Sequence, residues 1–115
     1  MTLTTHDPVL LEHFVLDGLP WEPLPAVGEG VEHKVLWHSD GSMAGLMRLA
    51  AGGAVGLHAH RQAHHHLWVV EGTIEVLATV LGPGSYAHVP HGVQHGMVNR
   101  GDGPATFLYL YLQPA

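Results

Sequence analysis

Short apolar runs separated by turn-forming residues dominate this sequence. From Val31 to His38 apolar and polar side chains largely alternate with a period of two, which is the pattern of a half-buried β-strand. Met43 to Leu49 forms a second run, and each later run is bounded by Gly, Pro, Asn or Asp. These later runs span residues 54–60, 65–71, 73–81, 84–90, 93–99 and 105–112. About eight short strands with close turns predict an all-β sandwich or barrel, with no helix longer than a turn or two.

The first 30 residues are the least regular part of the chain. Three prolines between Leu19 and Pro25 exclude a helix there, so this stretch must be extended. We expect residues 1–30 to form an arm packed on the outside of the body, with Trp21 as its anchor, and residues 31–115 to form the barrel. The total of 115 residues fits a single domain of this kind.

Composition narrows the possible partners and compartments. With 46% apolar and 12% charged residues, the chain is expected to fold into a packed globular domain. Its formal net charge is -6 and its four Lys and Arg residues are scattered, so nucleic acid and anionic membranes are not expected partners. Cysteine is absent, which excludes disulfides and zinc–thiolate sites. Residues 1–16 lack a signal-peptide pattern and no apolar run approaches a membrane span, so we expect a cytoplasmic protein.

Histidine is the residue type that points to chemistry, since the chain has 12 of them. His58 and His60 lie two positions apart on a predicted strand, so both imidazoles project to one side, at a separation that one metal ion can bridge. His95 follows the turn Pro90-His91-Gly92 on a remote strand, which suits a third ligand inside a barrel. Buried imidazoles are hard to satisfy without an ion or water.

Two ordered sets of residues resemble the motifs of the cupin superfamily. The first set has a glycine, five residues, His-any-His, four residues, a histidine where cupins usually have glutamate, six residues and a glycine. Its positions are Gly52, His58, His60, His65 and Gly72. The second set has a glycine, five residues, Pro-any-Gly, two residues, a histidine, three residues and an asparagine, without mismatch. Its positions are Gly84, Pro90, Gly92, His95 and Asn99.

The resemblance covers residues 52–99 and implies an all-β, single-domain cupin: a double-stranded β-helix, or jelly-roll barrel, with one metal site. It implies that His58, His60, His65 and His95 hold one divalent transition metal. His64 is the rival of His65, because a three-residue spacing also occurs in the family. A shell of four imidazoles favours Fe, Cu, Ni, Mn or Zn and disfavours Mg and Ca.

A narrower similarity links the chain to the anti-sigma-factor and dihydroxyacetophenone dioxygenase type of cupin. It rests on the short segment 73–83 between the motifs, on Trp21-Glu22-Pro23 and on the strand with Lys34-Val35-Leu36. Because these 115 residues show no pattern of a separate helical domain that could bind a sigma factor, we do not expect that role for them.

The functional expectation is a metal-dependent dioxygenase or related oxidoreductase acting on a small organic substrate. A non-catalytic small-ligand or metal-sensing cupin with a structural zinc is the alternative, and a sugar isomerase or epimerase is the third. No catalytic residue can be assigned, but His64, Met97 and Arg48 are candidates for lining the pocket. We expect Tyr109 and Tyr111 to be core or dimer contacts. Because a short barrel has open edge strands, we also expect a homodimer.

Overall fold

A computed structural model describes residues 13–58 and 63–113, with the backbone alone for residues 57 and 58. Within these ranges the chain forms one short 3-10 helix, Leu16–Gly18, and ten strands. The strands are β1 (Glu22–Pro23), β2 (Val31–Ser39), β3 (Ser42–Leu49), β4 (Ala54–His58), β5 (His64–Glu71), β6 (Ile74–Val76), β7 (Thr79–Leu81), β8 (Tyr86–Val89), β9 (His95–Val98) and β10 (Ala105–Leu112). No helix in the described ranges is long and apolar enough to cross a membrane.

The strands pair into two antiparallel sheets. One sheet has six strands in the order β1-β2-β3-β10-β5-β8, and the other has four in the order β4-β9-β6-β7. Several neighbours are remote in sequence, such as β10 between β3 and β5, so the chain crosses repeatedly between the two sheets. These crossings are typical of a jelly roll. The prediction of an all-β jelly-roll barrel is confirmed.

The hydrophobic core fills the space between the two sheets. Along β5 and β10 buried and half-buried residues alternate, as expected when one face of a sheet covers a core. Phe107 is fully buried, and its Cα lies opposite Met47 on β3 and Val69 on β5. Residues directly opposite each other share a face, so these side chains form one row of the inner surface. Each such large apolar side chain stabilises the fold by about 1.5–3 kcal/mol through burial.

Two motif residues hold the turns of the barrel. Gly72 has a φ of 72°, in the left-handed region, and a Cβ there would lie 2.5 Å from the carbonyl oxygen of Pro104. Only glycine meets both constraints. Asn99 is 1% exposed and its amide nitrogen lies 3.0, 3.2 and 2.8 Å from the carbonyl oxygens of Leu49, Ala50 and Gly103. Its Oδ1 accepts a hydrogen bond from the amide of residue 101 at 2.9 Å.

The segment 73–81 differs from the sequence-based expectation of one continuous strand-like run. The structure divides it into β6 and β7, which pair with each other across a two-residue turn. The turn residues Leu77 and Ala78 both have positive φ, 48° and 62°. Such a turn matches the right-handed twist of a hairpin, but it normally selects Gly or Asn. Because neither residue is present, the sequence carries no signal for the break.

The described residues before Val31 contact both sheets. Strand β1 pairs with β2, and the Trp21 ring lies 4.7 Å from the Lys34 ammonium and 4.3 Å from the Arg48 guanidinium. The carbonyl of Val27 accepts a hydrogen bond from the amide of residue 56 at 3.1 Å. A single arm over residues 1–30 stays a prediction, because the described residues begin at 13.

Candidate metal site

Two histidines from different sheets meet in the interior of the barrel. His65 lies on β5 of the six-stranded sheet and His95 begins β9 of the four-stranded sheet. Their exposed fractions are 0% and 1%, and Nδ1 of His65 lies 3.1 Å from Nε2 of His95. Two imidazoles that are usually solvated therefore face each other inside the protein. Such polar burial points to a functional site rather than to packing alone.

The backbone orients the ring of His95. Its Nδ1 lies 3.0 Å from the carbonyl oxygen of Val93. A carbonyl can only accept, so Nδ1 carries the hydrogen and the lone pair of Nε2 faces His65. Metal-bound histidines usually donate their second N–H to a carbonyl or carboxylate in this way, which fixes the tautomer. His95 is thus held as a ligand would be.

The separation of the two nitrogens suits a shared metal ion. Zinc–imidazole bonds are about 2.0–2.1 Å long, so two of them at tetrahedral or right angles place the nitrogens roughly 2.9–3.4 Å apart. The observed 3.1 Å between His65 Nδ1 and His95 Nε2 falls in this interval. Imidazole donors suit Zn, Cu, Fe and Ni. The residues present therefore supply two imidazole donors of the kind that such an ion prefers, and a bound ion would replace the hydrogen bond between them.

The other two predicted ligands fall at the edge of the described chain. Strand β4 ends at His58, whose Cα pairs with that of His95 in the ladder between β4 and β9. The side chain of His58 and the whole of His60 lie outside the described residues. Among the side chains that are described, no three of the types His, Cys, Asp or Glu form a group able to hold a metal ion. The described part of the site is therefore the His65–His95 pair.

Two tyrosines of β10 line the interior beside this pair. The Tyr111 ring lies 4.7 Å from the His65 ring, centre to centre, and its Cα is opposite that of His65. Tyr109 is 1% exposed, and its hydroxyl lies 3.6 Å from the sulfur of Met43. Burial raises the pKa of Tyr109, and burial together with Tyr109 raises the pKa of Tyr111. Both phenols therefore stay protonated at neutral pH, so they can donate a proton or hydrogen bond but cannot act as bases.

The sequence analysis missed the position of Tyr111 next to His65. Its parity on β10 with Phe107 and Tyr109 could have indicated an inward direction, because all three are two residues apart. The pairing of β10 with β5 could not be inferred from the sequence, because more than 30 residues separate the two strands.

The three pocket candidates occupy different places. Met97 is 2% exposed and belongs to the hydrophobic core, on the inner face of β9 that also carries His95. Arg48 lies on the outer face of β3, where it binds Glu32 at 2.9 Å and stacks on Trp21. His64 also lies on an outer face, because it is one residue away from the buried His65. Neither Arg48 nor His64 lines the interior.

His64 belongs to a group of side chains that the sequence analysis did not assemble. We call His64, His66, His88 and His91 the outer histidine cluster; they lie on β5, β8 and the turn after β8. Nδ1 of His64 lies 2.7 Å from Nε2 of His88. The His66 Nδ1 lies 2.7 Å from the hydroxyl of Tyr86. The pKa of His66 is lowered by partial burial and by the nearby His88 and His64.

Comparison with known proteins agrees with the geometry. Residues 45–111, more than half of the chain, match the family model of the cupin domain. No curated protein matches the sequence. A cupin of the RmlC-like type from Shewanella frigidimarina is 27% identical with a TM-score of 0.74, covering 91% of this chain and 93% of its own.

Two further solved structures are similar. A sugar phosphate isomerase of the cupin superfamily from Silicibacter pomeroyi is 25% identical with a TM-score of 0.76, covering 90% of this chain and 76% of its own. A chain of the Rhodobacter sphaeroides complex of SigE with the anti-sigma ChrR is 24% identical with a TM-score of 0.71, covering 85% of this chain and 51% of its own. The last of these shows a shared fold alone, and the three structures include one isomerase and one chain of an anti-sigma complex.

Proposed function

The chain belongs to the cupin domain family, and on that basis we propose that its barrel binds one divalent transition metal at a catalytic site. The ligands are His58, His60, His65 and His95. The observation that carries this proposal is the buried His65–His95 pair, whose facing nitrogens are 3.1 Å apart. The candidate ions are Fe, Cu, Ni, Mn and Zn.

We propose a dioxygenase-type oxidoreductase reaction on a small organic substrate that carries an enol or phenol oxygen. A metal of this class supplies Lewis-acid polarisation of a bound oxygen and, for Fe, Cu or Mn, redox capacity. The chain's own residues bind, orient and exclude water. The carbonyl of Val93 fixes the tautomer of His95, and the ring of Tyr111, whose phenol keeps its proton, packs beside that of His65.

The histidine at position 65 sets the charge of the site. A neutral imidazole replaces the carboxylate that cupins usually have here, so the four proposed ligands supply no negative charge to offset the ion. The resulting positive field favours an anionic oxygen on the substrate. This argues for substrates that ionise on binding, such as diketones and phenols.

A sugar isomerase is the second candidate, since a sugar phosphate isomerase is among the similar structures. Such a reaction needs a base in the pocket. Lys34 lies on the outer face, where its ammonium donates to the carbonyl of Leu16 at 2.8 Å. Tyr109 and Tyr111 keep their protons. The described residues thus favour the oxidoreductase. A non-catalytic barrel with structural zinc, the role nearest to the regulatory relative, remains the third candidate and is separated by the experiment below.

The test is metal analysis by mass spectrometry on tag-free protein and two variants. We expect about one Fe, Cu, Ni or Mn per chain in the wild type. His65→Gln removes one ligand and should lower the metal content at least about tenfold, whereas His65→Glu restores the usual ligand set and should retain it. His38→Gln, at an exposed position of β2, is the matched control.

Oxygen uptake with diketones and phenols should then follow the metal content across these variants. Stoichiometric zinc with no uptake would shift the function to the structural or sensing alternative. A wild type that binds no metal would overturn the proposal.

A further inference from the structure

The outer histidine cluster lies on the opposite face of β5 from His65. Successive side chains of a strand point to opposite faces, so the backbone of β5 separates His64 and His66 from the interior. His88 and His91 are exposed, and His64 and His66 are half-exposed. The cluster is therefore open to solvent.

The rings of the cluster hold one another in place. The centre of the His88 ring lies 4.9 Å from that of His64, at an interplanar angle of 24°, and 4.7 Å from that of His66, at 12°. The hydroxyl of Tyr86 contacts Nδ1 of His66 at 2.7 Å and fixes that ring in turn. His91 approaches the edge of His64 with 5.2 Å between ring centres. These ring contacts and the hydrogen bond between His64 and His88 limit the rotation of His88, so a ligand would meet side chains that are already close together.

We propose that His64 and His88 form a second, solvent-accessible site for a divalent transition ion of the Cu²⁺, Ni²⁺ or Zn²⁺ class. The His64 Nδ1 and the His88 Nε2 face each other in a hydrogen bond of 2.7 Å, and a metal ion would replace the hydrogen that they share. Opening this separation by a few tenths of an ångström reaches the roughly 2.9 Å that two metal–imidazole bonds at a right angle span. The exposed ring of His88 allows that shift without disturbing the core. Water completes the coordination.

Charge and chemistry both favour this occupant. The chain has a formal net charge of -6, so its long-range field attracts cations. The two donors are imidazole nitrogens, which prefer the later first-row ions over Mg and Ca. The inference does not rest on the proposed function, since it uses the other face of β5 and none of the interior ligands. His66 and Tyr86 act here as positioning residues.

The experiment is calorimetric titration of Zn²⁺ into the full, tag-free chain after removal of bound metal by a chelator. We expect two classes of site, of which the weaker disappears or weakens at least about tenfold in His88→Ala and in His64→Ala. His38→Ala, which removes another exposed strand histidine, is the matched control and should bind as the wild type does. His65→Gln should abolish the tighter class alone. Circular dichroism verifies that each variant is folded.

Two results would overturn the inference: a wild type without a weaker class, or a weaker class that is equally strong in His88→Ala and His64→Ala. If the tighter class is absent while a His88-dependent class persists, the proposed function fails and the outer site stands.

Discussion

Replacing Asn99 by alanine removes a buried amide that connects three segments of the chain. Its Nδ2 lies within 3.2 Å of the carbonyls of Leu49, Ala50 and Gly103, and its Oδ1 accepts from the amide of residue 101. The amide has two hydrogens, so two donated bonds and one accepted bond are lost. A buried group left without a partner costs about 1–3 kcal/mol. We therefore expect Asn99→Ala to lower the free energy of unfolding by about 3–5 kcal/mol.

Urea unfolding measures this loss. The three tryptophans provide the fluorescence signal. The chelator-treated protein is used, because bound metal would add its own stabilisation. For a domain of this size the free energy of unfolding falls by about 1–3 kcal/mol per molar urea, so the midpoint should drop by roughly 2 M. Arg100→Ala is the control: that side chain is 72% exposed and binds Glu75 at the surface, so its loss should cost no more than about 1 kcal/mol.

A second variant separates hydrogen bonding from cavity formation. Asn99→Asp keeps the size of the side chain and the acceptor, but it loses both N–H donors and places a carboxylate beside three carbonyl oxygens. Such surroundings raise the pKa of the introduced carboxyl, so its folded form holds a proton that the unfolded form releases. The loss in free energy of unfolding of Asn99→Asp relative to the wild type should therefore be larger at pH 7 than near pH 4. If Asn99→Ala is no less stable than Arg100→Ala, the assignment of Asn99 as a structural anchor is refuted.

Three further predictions follow from the described contacts. In an NMR titration His66 should show a pKa below its ordinary value, mainly because of partial burial, and His88→Ala should raise it; a value above the ordinary one would contradict the geometry. Because a lowered pKa means that His66 binds a proton less readily in the folded chain than in the unfolded chain, acid favours unfolding. The free energy of unfolding should therefore decrease as the pH falls through about 6.5. Gly45→Ala should lower the free energy of unfolding by about 1–3 kcal/mol, because its Cβ would collide with the hydroxyl of the buried Tyr109, whereas Gly82→Ala, with open space around it, should be nearly neutral in the same urea assay. Light scattering at micromolar concentration should give the mass of a homodimer, since Val35 and Trp37 on β2 leave 39% and 44% of their surface exposed; a monomer mass would reject this.

Much of the fold could be predicted because the relevant signals are local. The alternation along residues 105–112 matches β10 at both ends, and the prediction of a run at 65–71 misses the start of β5 by one residue. The prediction of one continuous run over residues 73–81 was wrong for a physical reason. Its turn residues, Leu77 and Ala78, have no intrinsic preference for positive φ, so the pairing of β6 with β7 and β9 must impose it.

By itself, the sequence indicated which side of β5 is buried. The period of two between His65, Leu67 and Val69 follows from the covalent geometry of an extended chain, so it places His65 inside and His64 outside once the strand is known. The motif spacing likewise selected Asn99 and His95. These inferences need no knowledge of the neighbouring strands.

Only the tertiary structure decided which side chains meet. His64 faces His88 across 24 residues of sequence because of the register in which β5 pairs with β8. His65 faces His95 across 30 residues because the two sheets pack against each other. Register depends on the summed packing of the whole inner face, and no local pattern encodes it. For that reason the interior pair could be expected from motifs, whereas Tyr111 beside His65 and the outer histidine cluster became visible only in the folded chain.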